Sequence, residues 1–228
     1  MENIIELQQV DKIYRGAVDT QVLFAIDLAF EAGSFSSIVG QSGSGKTTLL
    51  NIMGTLDRPT GGQVIIDNQN TVEMTKDRLA DLRNQVIGFV FQFHFLLPEF
   101  TAMENVLMPY WISNRTPSAE ILNRVDELFE LMGVSGVKDN LATRMSGGQQ
   151  QRTAIIRALL NNPKLVLADE PSGNLDSDNT ESIYRVFRDI NEKYGTAFVI
   201  VTHDRRIAEQ TDRIVEIRDG RIVMDIKT

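Results

Sequence analysis

A glycine-rich segment, residues 40–48, carries the most specific chemistry in this chain: its sequence, GQSGSGKTT, fits the pattern G-x-x-x-x-G-K-[ST]. Glycines let backbone N–H groups curl round an anion, and the N-terminus of a following helix adds partial positive charge. We predict that Lys46 reaches the β- and γ-phosphates of a nucleotide and that Thr47 offers its hydroxyl to Mg²⁺. The predicted phosphate-binding residues are Gly40, Gln41, Ser42, Gly43, Ser44, Gly45, Lys46, Thr47 and Thr48. The alternative is a flexible Gly/Ser turn with a solvated lysine.

A pair of carboxylates follows the apolar run 165–168, which is typical of a strand buried on both faces. Beside a phosphate-binding loop, an aspartate in this place helps to hold Mg²⁺, so Asp169 is a predicted metal-binding residue. Glu170 is placed to orient or deprotonate an attacking water, which makes it the candidate general base. The alternative is that both carboxylates are merely solvated at a strand end.

Three further candidates each stand alone in the sequence: Gln92, His203 and Tyr14. Gln92 follows the apolar run 87–91 and His203 follows 198–201, so both would lie at the sheet edge where ligands bind. Gln92 could contact Mg²⁺ and the attacking water, and His203 could contact the γ-phosphate. Tyr14 could stack on a base. The alternatives are a structural role for the histidine and a surface or core position for the tyrosine.

A second glycine pair lies in the segment Ser146-Gly147-Gly148-Gln149, at the start of a helical pattern. Ser146 and Gln149 are spaced as in a capping box, which is the simpler interpretation. It leaves the glycines unexplained, because glycine is a poor helix former. Glycines in a first turn leave backbone N–H groups open to an anion. We predict that this segment meets the ATP bound to another copy of the chain, in a head-to-tail dimer with two ATPs at a two-fold interface.

The elements that position these residues follow from hydrophobic periodicity. Buried-strand patterns alternate with helical patterns, which predicts an α/β fold with a mainly parallel sheet. The first thirty residues predict a pair of strands, at 4–10 and 22–30, and the C-terminus predicts a hairpin across Asp219-Gly220. The predicted strands of the main sheet are 35–39, 87–91, 165–168 and 198–201, and the helical patterns are 46–53, 119–132, 149–161 and 180–193.

The helical content is uneven along the chain, which suggests an internal division. We predict one domain over residues 1–228, with a helical subdomain at about 93–161 inserted into it. Residues 1–92 and 162–228 would supply the N-terminal β-subdomain and the α/β core.

The composition of the 228-residue chain excludes several classes of site. Lys and Arg total 23 against 31 Asp and Glu, and the net charge of −8 gives no overall attraction to a nucleic-acid backbone. The absence of cysteine excludes disulfides, thiolate nucleophiles and cysteine-ligated zinc. No run approaches the roughly 20 apolar residues of a membrane span, and we expect no signal peptide. We therefore expect no nucleic-acid partner, and membrane association only through another protein.

Taken together, the motifs resemble those of the ATP-binding-cassette (ABC) ATPases, in family order along nearly the whole chain. The matching segments are Tyr14, 40–47, Gln92, 145–149, 165–170, 172–176 and His203. The departures are mild, since Met145 stands where leucine is usual and Ser172 where threonine is common. The resemblance implies a P-loop, RecA-like core that binds ATP and Mg²⁺ and hydrolyses ATP.

The resemblance also implies a role for each nucleotide-binding and metal-binding residue. Tyr14 would stack on adenine, and Lys46 would bind phosphates together with the rest of the loop. Thr47 and Gln92 would ligate Mg²⁺, with Asp169 acting through a water.

The remaining roles implied by the resemblance concern hydrolysis and the dimer. Glu170 would act as general base on the attacking water, and His203 would stabilise the γ-phosphate. Asp176 would link the two ATP sites. The residues that would serve the partner's ATP are Ser146, Gly147, Gly148 and Gln149.

Within the family, segments 82–106 and 167–176 resemble the lipoprotein-releasing and macrolide-exporting branch. The implied partners are a second copy, or a paralogous ATPase, and integral membrane permease subunits that dock near the apolar stretch from Phe93 to Phe100. The implied location is the cytoplasmic side of the inner membrane, as a peripheral subunit. The alternatives are a haem exporter, a cell-division regulator that acts without transport, and, outside these transporters, a nucleic-acid ATPase or a small-molecule kinase.

Overall fold

The chain folds into an α/β structure, as predicted. The computed structural model describes residues 2–113, 115–172 and 177–228, with 177–179 described by their backbone alone. The described strands are β1 (Asn3–Tyr14), β2 (Thr20–Glu31), β3 (Phe35–Val39), β4 (Gly61–Ile66), β5 (Gln69–Asn70), β6 (Ile87–Val90), β7 (Leu165–Asp169), β8 (Ala197–Val201), β9 (Arg213–Arg218) and β10 (Arg221–Lys227). The described helices are α1 (Lys46–Met53), α2 (Lys76–Val86), α3 (Ala102–Ile112), α4 (Ala119–Leu131), α5 (Gly147–Leu159), α6 (Ser177–Tyr194) and α7 (Arg205–Ala208).

Six strands form the main sheet, in the order β10-β9-β3-β8-β7-β6. Every neighbouring pair is parallel except the C-terminal hairpin of β9 and β10. Strand β8 is buried at every residue, and β7 at every residue but Asp169. Such two-sided burial is typical of the centre of a parallel sheet, so the predicted mainly parallel sheet is confirmed.

A second sheet is antiparallel throughout and has the order β2-β1-β4-β5. The predicted N-terminal strand pair is present and is longer at its far end than expected, because β1 continues to Tyr14. Strands β4 and β5 were not predicted. The turn between them has Asp67 and Asn68 at φ values of 48° and 62°, which matches a tight hairpin turn.

The main differences between prediction and structure lie at element ends. Strand β6 ends at Val90, because the last residue pair of its ladder with β7 is Val90 with Ala168. Helix α5 begins at Gly147, two residues earlier than expected, because the side chain of Ser146 caps it. Helix α2, which is largely polar, was not predicted.

The main sheet separates two hydrophobic cores. Along β8, Phe198 and Ile200 belong to one core, whereas Val199 and Val201 belong to the other. Helices α3 to α6 contribute to the first core, and α1, α2 and the antiparallel sheet contribute to the second. The sheet is therefore covered on both faces, and its carboxyl edge remains available for a site.

The described helices from α3 to α5 fall within the segment predicted as a helical subdomain. The division of the chain into subdomains stays a prediction. Among the described residues, no helix has both the length and the apolar character that a bilayer span needs.

Candidate functional site

A cleft of about 680 Å³ lies at the carboxyl edge of the main sheet. It brings together the loop after β3 with the polar residues at or just beyond the ends of β6, β7 and β8. The lining residues are Val22, Gly40, Ser42, Gly43, Gly45, Lys46, Thr47, Thr48, Gln92, Asp169, Glu170 and His203. The convergence expected from the strand ends is thus present in the structure. Val22 was not predicted, since an apolar residue in β2 of the other sheet carries no chemical signal in the sequence.

Glycine is required at particular points of the loop after β3. A Cβ atom on Gly40 would collide with the backbone carbonyl of Ile217 in β9. Gly45, which immediately precedes α1, has a φ of 105°, a conformation that residues with side chains rarely adopt. The loop therefore packs tightly on the sheet and leads directly into the N-terminus of α1, where anions are stabilised.

The ammonium group of Lys46 is held over this loop. Its Nζ donates to the carbonyl oxygen of Gly40 at 2.9 Å and to that of Gln41 at 2.8 Å. The residue is only 8% exposed and lies at the first position of α1. A largely buried cation beside glycine backbone and a helix N-terminus provides an environment that favours phosphate.

Two oxygen-bearing side chains that line the cleft form a hydrogen bond with each other. The hydroxyl of Thr47 donates to Asp169 Oδ2 at 3.1 Å, which links α1 to the end of β7. Burial raises the pKa of Asp169, and the charge of Glu170 raises it further, whereas the Thr47 hydrogen bond opposes the shift. A hydroxyl and a carboxylate are ligands of the kind that Mg²⁺ prefers, so the donor set fits this ion.

Glu170 and His203 form the second pair in the cleft. Glu170 Oε1 lies 3.0 Å from His203 Nδ1, and this contact joins the ends of β7 and β8. The backbone of Glu170 has a φ of 45°, in the left-handed region, and its N–H donates to the carbonyl of Val201 at 2.9 Å. Strained backbone at a non-glycine residue is frequent in functional sites.

Tyr14 is not among the residues that line the cleft. Its hydroxyl donates to Asp57 Oδ2 at 3.1 Å, and the Lys12 ammonium lies 4.8 Å from the centre of its ring. The side chain is 43% exposed, so the ring has a face available to a ligand or to solvent.

The segment before and within the first turn of α5 has the capping box expected from its spacing. The Ser146 hydroxyl accepts from the Gln149 N–H at 3.3 Å, and Gln149 Oε1 accepts from the Ser146 N–H at 2.9 Å. Ser146 and Gly147 are exposed, and a Cβ atom on Gly147 would have no neighbour within 4 Å. None of Ser146, Gly147, Gly148 and Gln149 lines the cleft of the same chain. The predicted linking residue Asp176 lies outside the described residues.

The glycine loop after β3, the buried lysine and the carboxylates at the end of β7 define the class of the site. This combination at the carboxyl edge of a parallel sheet is that of a P-loop nucleotide hydrolase.

Comparisons with known proteins identify the family. A family model described as ABC transporter matches residues 23–173. The lipoprotein-releasing system ATP-binding protein LolD 1 of Rhodopseudomonas palustris is 47% identical over 224 residues, 97% of this chain and 99% of the relative. The macrolide export protein MacB of Syntrophobacter fumaroxidans is 49% identical over 222 residues, which are 96% of this chain but 31% of MacB. The dimeric ATP-binding cassette MJ0796, in a post-hydrolysis state with ADP and Pi, superimposes with a TM-score of 0.91 at 40% identity, covering 98% of each chain.

The chain belongs to the ABC transporter family, and it is an ATP-binding ATPase of that family.

Proposed function

We propose that this chain is the ATP-hydrolysing subunit of a membrane complex that releases lipoproteins. The supporting observation is the 47% identity to LolD 1 over nearly the full length of both chains. The proposed location is the cytoplasmic side of the inner membrane, where the chain is held by membrane subunits.

In the proposed mechanism, the cleft binds Mg·ATP. Residues 40–48 would bind the phosphates, and Tyr14 would stack on adenine. Thr47 and Gln92 would hold Mg²⁺, with Asp169 acting through a water. Mg²⁺ would neutralise charge on the phosphates, and these residues orient it.

Glu170 is proposed as the general base that takes a proton from the attacking water. Its contact with His203 Nδ1 at 3.0 Å links the two side chains. We propose that His203 contacts the γ-phosphate from this position.

The proposed active unit is a head-to-tail dimer. Ser146, Gly147, Gly148 and Gln149 would bind the ATP held by the other copy, and Asp176 would link the two sites. Support comes from the exposed position of Ser146 and Gly147 outside the chain's own cleft, and from the dimeric state of the similar cassette MJ0796.

Membrane subunits are proposed to dock beside the segment from Phe93 to Phe100. Phe93 is 59% exposed and Phe95 64%, although large aromatic side chains are normally buried. A groove of about 520 Å³ is lined in part by Phe91, whose ring centre lies 5.5 Å from that of Phe95. Its apolar lining includes Leu56, Phe89, Phe91, Met108 and Ile112. A cytoplasmic helix of a permease subunit would cover such a surface.

The experiment is reconstitution. The membrane protein that co-purifies with this chain is placed in liposomes with a bound lipoprotein, and ATP-dependent transfer of the lipoprotein to a soluble acceptor is measured. Transfer by the complex, and its loss with Glu170→Gln, are expected. Rapid ATP hydrolysis without transfer would contradict lipoprotein release.

A second candidate is a macrolide exporter, which the 49% identity to MacB favours. Uptake of a labelled macrolide into inside-out vesicles, without lipoprotein transfer, would support it. Hydrolysis that moves neither substrate would point instead to regulation of a membrane complex.

A further inference from the structure

A buried glutamine joins three parts of the site. Gln151 lies in α5 two residues beyond Gln149 and is 4% exposed. Its Nε2 donates to the carbonyl oxygen of Phe91 at 3.0 Å and to that of Pro171 at 2.8 Å. Phe91 immediately precedes Gln92, and Pro171 immediately follows Glu170. One amide group therefore contacts the backbone next to two residues of the cleft.

The Gln151 amide bonds to two segments just beyond the point where the β6–β7 ladder ends. The parallel ladder between β6 and β7 ends with the pair Val90 and Ala168. Phe91 and Pro171 lie beyond that pair, so the ladder does not fix the distance between their carbonyls. Gln151 donates to both oxygens and so holds the two segments together past the end of the ladder.

The hydrogen bond from Gln151 to Pro171 lies next to Glu170, whose backbone is in the left-handed region. A left-handed φ of 45° is unfavourable for a glutamate and persists only where its surroundings determine it. On one side, the Glu170 N–H donates to the Val201 carbonyl at 2.9 Å. On the other side, the carbonyl of the next residue accepts from Gln151. Hydrogen bonds on both sides thus hold the strained residue.

We propose that Gln151 is a positioning residue that sets the place of the Glu170 carboxylate. The inference rests on the proposed role of Glu170 as general base. Because α5 begins next to Ser146, a displacement of this helix reaches Glu170 through the hydrogen bond to Pro171. The same side chain thereby connects the surface proposed to meet the partner's ATP with the chemistry of the chain's own site.

The test variant is Gln151→Met, which keeps a similar volume and removes both donors. We expect kcat to fall by about 10- to 100-fold, since misplacement of a catalytic group by about 1 Å costs about 100-fold. The Kd for ATP measured without Mg²⁺ should stay within about threefold, because the phosphate-binding loop lies between β3 and α1 and Gln92, next to Phe91, is proposed to act only through Mg²⁺. If this variant fails to fold, Gln151→Ala, which leaves room for water at the two carbonyls, is expected to show the same split.

Asn191→Leu is the matched control. Asn191 is buried in α6, and its Nδ2 donates to the carbonyls of Gly33 at 2.9 Å and Thr196 at 2.8 Å. It thus forms the same kind of clamp at the opposite edge of the sheet. Both variants should lower the melting temperature, but only Gln151→Met should lower kcat without changing ATP affinity. An equal loss of kcat in Asn191→Leu would show that the effect is one of stability and would overturn the proposal.

Combining Gln151→Met with Glu170→Gln distinguishes the positioning role of Gln151 from the general-base role of Glu170. In single-turnover hydrolysis, Gln151→Met should reduce the remaining rate of Glu170→Gln by no more than about twofold, because both act through one carboxylate. A kcat for Gln151→Met within about threefold of the unsubstituted chain, with Glu170→Gln slow, would overturn the role of Gln151 alone. Normal turnover by Glu170→Gln itself would instead contradict the general-base role.

Discussion

The polar side chains of the cleft are paired between different elements. Thr47 of α1 bonds to Asp169 of β7, and Glu170 lies against His203 beyond β8. A substitution at one member of a pair therefore changes the environment of the other. Activity measurements on single variants should accordingly be read together with nucleotide affinity.

Glu170→Gln should hydrolyse ATP about 100- to 10,000-fold more slowly, which is the usual contribution of a general base. ATP binding should persist, because the amide keeps the size of the carboxylate. Dimers with bound ATP should then accumulate, and gel filtration with ATP would detect them. Glu192→Gln, at an exposed position of α6, is the control and should hydrolyse ATP normally.

Lys46→Ala should weaken nucleotide binding by about 10- to 100-fold, since a charge-assisted hydrogen bond contributes about 1.5–3 kcal/mol. Calorimetric titration with ADP and ATP measures the change. Lys164→Ala removes a lysine that pairs with Asp67 away from the cleft and should leave affinity unchanged. Unaltered ATP affinity in Lys46→Ala would contradict its role in phosphate binding.

At the level of elements, one arginine joins the two sheets. Arg213 of β9 forms a two-pronged pair with Asp225 of β10, at 2.7 and 2.6 Å. Its Nη1 donates to the carbonyl of Ala29 in β2 at 2.5 Å, and its guanidinium lies 5.1 Å from the ring centre of Phe30. The hairpin that closes the main sheet is therefore attached to the antiparallel sheet.

Asp225→Asn removes the charge that pairs with Arg213 and should lower the free energy of unfolding by about 0.5–1 kcal/mol at pH 7. The effect is small because the Asp225 side chain is partly exposed, so solvent screens the pair. The hydrogen bonds from Arg213 hold the pKa of Asp225 below its usual range. A lowered carboxyl pKa stabilises the fold above the unfolded-state value and loses this effect as the pH falls through the folded-state value.

Urea unfolding at pH 7 and near pH 3 tests whether the stabilisation by Asp225 decreases as the pH falls. The difference between Asp225→Asn and the unsubstituted chain should shrink at the lower pH. Glu216→Gln, which removes the neighbouring pair with Arg218, should cost less, since that arginine is more exposed. A difference that grows on acidification would contradict the assignment.

Local patterns were enough to predict much of the fold and most cleft residues. The glycine loop and the residues after the buried strands are adjacent to their elements in sequence, so short-range patterns place them. The role of Gln151 was not predictable, because its partners Phe91 and Pro171 are 60 and 20 residues away. Val22 lines the cleft because the antiparallel sheet packs beside the glycine loop, and no local sequence pattern predicts how two sheets pack.

At the scale of the whole molecule, the cleft and the Ser146 segment are separate surfaces of one chain. Ser146→Arg should leave ATP binding to each monomer intact and abolish hydrolysis, because a bulky cation would occupy the proposed interface. Binding is measured by calorimetry and turnover by phosphate release. Full activity in this variant would contradict a site shared between two copies.

A mixture of two variants gives an independent control, at an ATP concentration that fills the unsubstituted site but lies well below the Kd of Lys46→Ala, so that each variant alone is inactive. A dimer of Ser146→Arg with Lys46→Ala has one site with an intact loop from the first chain and an intact Ser146 from the second. An equimolar mixture should regain about a quarter of the active sites, from random pairing in a two-fold dimer. The variants measured separately should remain inactive.

The coverage of β8 on both faces, with β3 and β7 on either side, has a consequence for amide exchange with deuterium. Its N–H groups can meet solvent only when the sheet comes apart, so they should exchange at the rate of global unfolding. Exchange rates measured residue by residue should rise sharply between Val201 and His203. The change from slowly exchanging amides of the sheet to rapidly exchanging amides at the cleft would thus occur within two residues of the chain.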